Sequence, residues 1–343
     1  MSERIETAAL RDFSVSLCRA AGLSADDAAL LTDSILFAEC RGVTSHGLLR
    51  LPQYIARLRS GATASNVPMP FTMESGGTAR LDAQNGLGQL AGRKASDKAE
   101  ELAAEYGVSF VAVANSNHFG TGAWYAIPAA RRGFFAFNIS SAASAMAPHG
   151  AAQPLLGTDP VGLALPRGEG KAPLALDMAL STAARGKIRY AALNGTPIPE
   201  TWGLDAHGAP TTDGGTLLPA GGAKGSGLAI FIELLCAVLT GSGALGGTGL
   251  LSDLSRPAGT GHIFGCVDIK RFLPLETFEA LCEESLSRVT SLTPAQPGGE
   301  ILLPGEPEER RAAESAANGV PVAPALRDTL NALAEELGCA ARI

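Results

Sequence analysis

The sequence predicts an α/β protein in which helix-rich ends fold together around a mixed-sheet middle. Three observations carry this. The first 60 residues show apolar positions at helical spacing, with polar caps and glycine stops. From about residue 75 the texture changes to short β-rich runs separated by glycine. A last helical stretch closes the chain, so the ends are expected to form one helix-rich unit, 1–75 with 305–343, and residues 76–304 an α/β unit.

Residues 6–21 carry Leu10, Phe13, Val15, Leu17 and Cys18 and stop at Gly22. Ser24 reads as an N-cap, with Asp26 and Asp27 facing the positive end of the next helix dipole. A third helix is expected over 45–59, ending at Gly61. Strands are expected at 108–114, 134–140, 161–166, 173–178 and 262–269, with helices at 88–106, 121–132 and 225–240. The last of these is apolar nearly all round and is expected to be buried. A helix over 275–291, a Pro/Gly-rich connector over 292–307 and a final helix over 324–337 complete the chain. No internal repeat is present.

Composition narrows the function. The chain has 343 residues, 46% hydrophobic and 18% charged, ordinary values for a soluble enzyme. A net charge of −7 argues against nucleic acid, which requires clustered Lys and Arg. Six scattered cysteines show no metal-ligand spacing and suit a reducing compartment. The first residues lack an apolar signal core and no apolar run is long enough for a membrane span, so a cytoplasmic location is expected.

The segment RGVTSHGLLR (41–50) places His46 four residues before Arg50. On a helix the two would lie on one face. Histidine titrates near neutrality and arginine grips carboxylates through a planar fork. Together they suit redox chemistry on a 2-hydroxy or 2-keto acid, although a His/Arg pair at this spacing also arises by surface coincidence. His118 follows an expected strand in ANSNHFGTG (114–122). That is a usual ligand position in α/β folds, where Gly120 and Gly122 would let backbone N–H groups approach a phosphate at a helix N-terminus. The alternative is a satisfied turn histidine.

Glycines at 221–227 precede the apolar helix and make a second candidate anion site, with Lys224 as a point charge or as a lysine that snorkels to solvent. Thr158 and the Asp177, Met178, Ala179 run follow apolar stretches and could line a groove, and Glu306 in the 304–306 turn could bind ribose hydroxyls. His149, His207 and His262 read as structural. The one G-x-G-x-x-G, at 241–246, follows a helix rather than a strand, so an ordinary Rossmann dinucleotide site is excluded. No metal motif is present.

The segments RGVTSHGLLRLPQY (41–54), NSNHFGTG (115–122), LLGTDPVGLALPRG (155–168), LDMALSTAARGKI (176–188), GGAKGSGLAIFIELL (221–235) and LLPGEPEE (302–309) span nearly the whole chain. In this order they resemble the malate/L-lactate dehydrogenase family, which also includes L-sulfolactate and ureidoglycolate dehydrogenases, diketogulonate reductase and piperideine-2-carboxylate reductase. The resemblance implies a non-Rossmann, L-sulfolactate dehydrogenase-like α/β fold and a homodimer. It also implies hydride transfer between NAD or NADP and a small 2-hydroxy/2-keto acid of malate, lactate, sulfolactate or ureidoglycolate type.

By the same resemblance His46 moves the proton, Ser45 assists it and Arg50 holds the substrate carboxylate, while some members give the acid/base role to the histidine matching His118. Thr158, Asp177, Met178, Ala179, Lys224 and the turn of Pro304, Gly305 and Glu306 match cofactor-contacting positions. This chain departs from the family at Ala223 and Ser226, where aromatic residues are frequent, which implies a roomier or more polar pocket. It also carries Lys187 where the imine-reducing branch tends to be acidic. The competing expectations are a reductase of cyclic 2-imino acids and, from another class, a non-redox lyase or a silent binding relative. Nothing in the sequence separates NAD from NADP.

Overall fold

The computed structural model describes residues 3–183, 188, 191, 196–212 and 215–343. In chain order its strands are β1 (Glu3–Ile5), β2 (Phe71–Ser75), β3 (Thr78–Asp82), β4 (Phe110–Ser116), β5 (Phe134–Ser140), β6 (Val161–Leu165), β7 (Leu174–Met178), β8 (Gly203–Leu204), β9 (Thr216–Leu217), β10 (Thr260–Asp268) and β11 (Val320–Val322). Seven of them form one mixed sheet in the order β2-β3-β4-β10-β5-β6-β7. Only the β3–β4 pairing in this sheet is parallel. The five expected strands are present, each end within two residues of the expected one. The β2–β3 hairpin was not expected. β2 lies at the sheet edge with four of its five residues exposed, so it carries no apolar alternation to read.

Helices α1 (Thr7–Ala20) and α2 (Ala25–Cys40) form as expected, and the Ser24 hydroxyl accepts from the Asp27 N–H at 3.1 Å. The expected third helix does not. Residues Thr44–His46 and Leu48–Arg50 are two single 3-10 turns that meet at Gly47, and α3 covers only Leu51–Ser60. His46 and Arg50 therefore do not share an α-helical face. The physical reason is Glu39, buried at the end of α2, whose carboxylate accepts the Leu48 N–H at 2.7 Å. A Cβ on Gly47 would lie 2.0 Å from that carboxylate, so only glycine lets the chain pass this close.

Helices α4 (Gly88–Tyr106) and α5 (Ala123–Arg131) cover one face of the sheet. The α4 stripe Ala91, Ala95, Ala99 and Ala103 packs with Val111, Val113, Phe264 and Cys266; small side chains bring the helix close to the strands. On the other face lies α6 (Ala223–Glu233), prolonged by a π-turn at Leu234–Val238. Ala229, Ile232 and Cys236 of this segment pack with Ala112 and Ile263.

This segment is not buried all round, contrary to expectation. Leu228, Ile230, Phe231, Leu234, Leu235, Val238 and Leu239 are exposed, Phe231 by 69%. One flank of the segment faces the sheet, and a single sheet can cover no more than one flank.

Helix α7 (Leu275–Thr290) follows, then α8 (Glu306–Asn318) and α9 (Pro324–Glu336). α8 begins where the connector was expected to end. It was missed because only Ser315 is buried on it, leaving no apolar stripe. A separate core joins both ends of the chain: Leu10, Phe13, Leu31, Ile35, Leu51 and Ile55 pack with Val320, Val322 and Leu330, and β1 pairs with β11. Among the described residues no helix is long and apolar enough to cross a membrane.

Candidate active site

The 3-10 turns after α2, the loop after β4, the end of β7 and the start of α8 enclose a cavity of about 1040 Å3. This is at the upper end of the roughly 300–1,000 Å3 usual for small-molecule sites. Ser45, His46, Arg50, His118, Gly120, Thr158, Asp177, Met178, Ala179 and Gly305 all line it, so residues far apart in sequence meet here.

Gly122 stands just behind the wall, its carbonyl accepting from Asn138 Nδ2 at 2.9 Å. Two expected residues are elsewhere. Lys224 is exposed and outside the lining, and the Glu306 carboxylate turns back to accept the Leu303 N–H at 2.8 Å. Ala223 and Ser226 do not line the cavity either; the Ser226 hydroxyl accepts from the His149 N–H at 2.9 Å. Lys187 lies outside the described residues.

At one end the His46 and His118 rings stack with centroids 5.4 Å apart. Ser45 Oγ lies 2.9 Å from His46 Nδ1. Arg50 Nε donates to the Ser45 carbonyl at 2.7 Å and its Nη1 to Gln53 Oε1 at 2.8 Å, which fixes the guanidinium in the wall. Burial, with Arg50 beside it, pulls His46 down from 6.5 to about 4. Burial and the neighbouring His46 and Arg50 hold His118 well below its ordinary value. Both rings are therefore neutral at physiological pH.

Sequence reasoning missed four side chains that build this end. Tyr54 lies with its hydroxyl 2.7 Å from His118 Nδ1, and burial pushes that hydroxyl up to about 12. Its place in RGVTSHGLLRLPQY was visible, but its partner, 64 residues away, was not. Glu39 fixes the His46–Arg50 turns, as described above. Arg57, 1% exposed, donates to the carbonyls of Ala62, Leu250, Asp253 and Arg256 and to Asn117 Oδ1. It thereby ties α3 both to the loop before His118 and to the cavity-lining 248–252 stretch. Arg41 lines the cavity while paired with Glu309. His262 is buried and structural as expected: its two ring nitrogens meet Ser140 Oγ and Ser116 Oγ, and its face stacks on Phe119.

The wall around Asp177 differs from the expected phosphate cradle. The amides opening α5 are already engaged, since Asp177 Oδ2 accepts the Ala123 N–H at 2.9 Å. Burial in the wall pushes the Asp177 carboxyl up to about 6, against the pull of the Ala123 and Gly122 amides. The remaining wall suits a dinucleotide in other ways. Thr121 Oγ1 is buried on the lining without a partner, and Leu176, Met178, Leu302, Leu303 and Pro307 give an apolar bed. Among the described residues no cluster of three His, Cys, Asp or Glu fits a metal ion.

Two neutral histidines and an anchored arginine meet in one large cavity on a non-Rossmann mixed sheet, an arrangement suited to acid/base chemistry on a carboxylate-bearing substrate. Residues 5–331 match the malate/L-lactate dehydrogenase family, and the chain belongs to it. It is 36% identical to the L-sulfolactate dehydrogenase of Methanocaldococcus jannaschii over 324 residues, 92% of each chain. It is 38% identical to the (2R)-3-sulfolactate dehydrogenase (NADP(+)) of Chromohalobacter salexigens, covering 84% of this chain and 88% of that one. With the ureidoglycolate dehydrogenase (NAD(+)) of Escherichia coli K12 the identity is 31%, over 89% and 88% of the two chains. The solved structure of the M. jannaschii sulfolactate dehydrogenase superposes with a TM-score of 0.91 over 98% of both chains, at 33% identity. The fold is therefore that of sulfolactate dehydrogenase.

Proposed function

We propose that this protein is an NAD(P)-dependent dehydrogenase acting on the CH–OH group of a small 2-hydroxy acid of the malate, lactate, sulfolactate or ureidoglycolate kind. The observation that carries the reading is the meeting of His46, His118 and Arg50 at one end of a single large cavity. The cofactor, when bound, supplies the hydride acceptor or donor. Arg50 holds the substrate carboxylate so that C2 sits within reach of the nicotinamide position.

His118 is the acid/base in this reading. Tyr54 stays protonated and accepts from His118 Nδ1–H, which leaves Nε2 free to take the substrate hydroxyl proton as hydride leaves C2. The imidazolium so formed returns that Nε2 proton to the keto oxygen in the reductive direction. His46, held by Ser45, stacks on the His118 ring and keeps it in place. Asp177, Met178, Ala179, Thr158, Gly120 and Gly305 form the cofactor wall. Residues 1–75 with 305–343 carry the His46–Arg50 turns, and 76–304 the cofactor wall; the core shared by both ends supports that division.

The exposed apolar flank of α6 and its π-turn supports a homodimer, since so many large apolar side chains on one helix require a partner surface. The free cysteines suit the cytoplasm.

The test is nicotinamide absorbance with both cofactors over lactate, malate, sulfolactate and ureidoglycolate. His118→Ala is expected to cost at least about 100-fold in kcat, and His46→Ala less. Absence of turnover together with absence of NAD(H) and NADP(H) binding by calorimetry would sink the reading. A larger loss in His46→Ala would reassign the proton to His46.

A further inference from the structure

Behind the cavity wall two carboxyls meet without a cation. Asp159 is fully buried and Glu233, at the end of α6, is 1% exposed. Glu233 is fully engaged: Oε1 accepts the Gly157 N–H and Oε2 the Leu245 N–H, each at 3.2 Å. Asp159 is not. Its Oδ1 accepts the Ala142 N–H at 3.1 Å, while Oδ2 is buried and meets no donor. Both carboxyls press on Gly157: Glu233 Oε1 accepts its N–H, and Asp159 Oδ1 lies 2.3 Å from where a Cβ of that glycine would stand. Two buried carboxyls this close do not both ionise, and the one without a donor on its second oxygen, Asp159, keeps the proton.

Three chain segments converge on this pair, around Ala142, Gly157 and Leu245. Each continues into the cavity lining, at Ala142 and Ala143, at Thr158 and Pro160, and at Thr248 and Gly249. Asp159 holds a positive φ of 37°, a conformation that aspartate adopts only where its surroundings enforce it.

We propose that Asp159 and Glu233 are a proton-sharing positioning pair: one proton on Asp159, donated to Glu233, holds three segments of the cofactor wall in register. The inference rests on the cavity being the cofactor site proposed above. Burial first, and then the Glu233 charge, raise Asp159 well above the usual carboxylate range, which favours the protonated form. Cys236 also faces the pair, its thiol raised well above its ordinary value, and no cation is paired with either carboxyl among the described residues. Because the folded-state value of Asp159 is raised, the stability it contributes falls as pH rises. Loss of the proton leaves two carboxylates in contact and opens the wall.

The test compares wild type with Asp159→Asn and Glu233→Gln in thermal midpoint, cofactor KM and kcat across the neutral-to-alkaline range. In wild type the cofactor KM is expected to rise about tenfold, the effect of losing one buried hydrogen bond to a charged group, while kcat changes little and the midpoint falls. Asparagine keeps an acceptor for Ala142 and carries a permanent N–H donor for Glu233, so both alkaline trends flatten in Asp159→Asn. Glutamine in place of Glu233 points an N–H at Gly157 or Leu245, so Glu233→Gln is defective at every pH. Asp159→Asn following the wild-type pH profile, or Glu233→Gln matching Asp159→Asn, would overturn the pair. If no nicotinamide cofactor is turned over at any pH, the functional reading fails instead, and the thermal midpoints alone decide the pair.

Discussion

Gly47→Ala tests how the two 3-10 turns set the catalytic end. The added Cβ would lie 2.0 Å from Glu39 Oε2 and 2.9 Å from its carboxyl carbon, and Glu39 is 4% exposed with nowhere to retreat. Either the carboxylate leaves the Leu48 N–H or the turn moves. Losing a buried bond to a charged acceptor and overpacking the site together cost about 2–4 kcal/mol. A shift of about 1 Å at His46 and Arg50 costs on the order of 100-fold in kcat/KM.

The assay is a double-mutant cycle of Gly47→Ala with Glu39→Ala, read in thermal midpoint and kcat/KM. Glu39→Ala removes the obstacle, so alanine at 47 should cost little in that background, and the two changes should couple strongly. Additive effects, or a Gly47→Ala variant with unchanged kcat/KM, would show that the carboxylate does not position the turn. The pH dependence adds a second check. Burial raises Glu39 from 4.5 to about 7, against the pull of the Leu48 amide. A raised folded value means stability present below 4.5 and lost as pH climbs through about 7, a loss that Glu39→Gln should abolish.

Other outcomes follow from the same geometry. Tyr54→Phe removes the hydroxyl beside His118 Nδ1 and should lower kcat about 10- to 100-fold with little change in substrate KM, by steady-state kinetics. Arg50→Met should raise the KM for the carboxylate substrate by about 100-fold or more, as loss of a bidentate charged pair does. The same change removes a charge that helps hold both His118, the acid/base, and His46 below their ordinary value, so the acid limb of kcat/KM should move up in pH. For wild type the depressed His46 value means stability lost as pH falls from 6.5 to about 4. Phe231→Glu, on the exposed flank of α6, should shift the mass measured by light scattering from dimer towards monomer, and an unchanged mass would place the dimer contact elsewhere.

What the sequence carried and what it did not divide along a physical line. Central strands such as β5 and long helices such as α4 were legible to the residue, because each buries one face at a regular period. Edge strand β2 and the charged helix α8 bury almost nothing, and periodicity cannot report a face that is not buried. His46, His118, Arg50 and Asp177 were legible as residue types in unusual local contexts. Their supports were not, since Tyr54, Glu39 and Arg57 are defined by partners distant in sequence or by a turn that departs from the expected helix.

The apolar helix α6 misled for the same reason. Apolar residues all round a helix state that every flank is covered, not that one chain does the covering. In α6 the sheet takes one flank, and Glu233 anchors the helix end to the cavity wall, so the partner surface proposed for its other flank and the cofactor wall share a single rigid element. Association and cofactor binding should therefore be linked, with Phe231→Glu weakening cofactor affinity as well as the dimer.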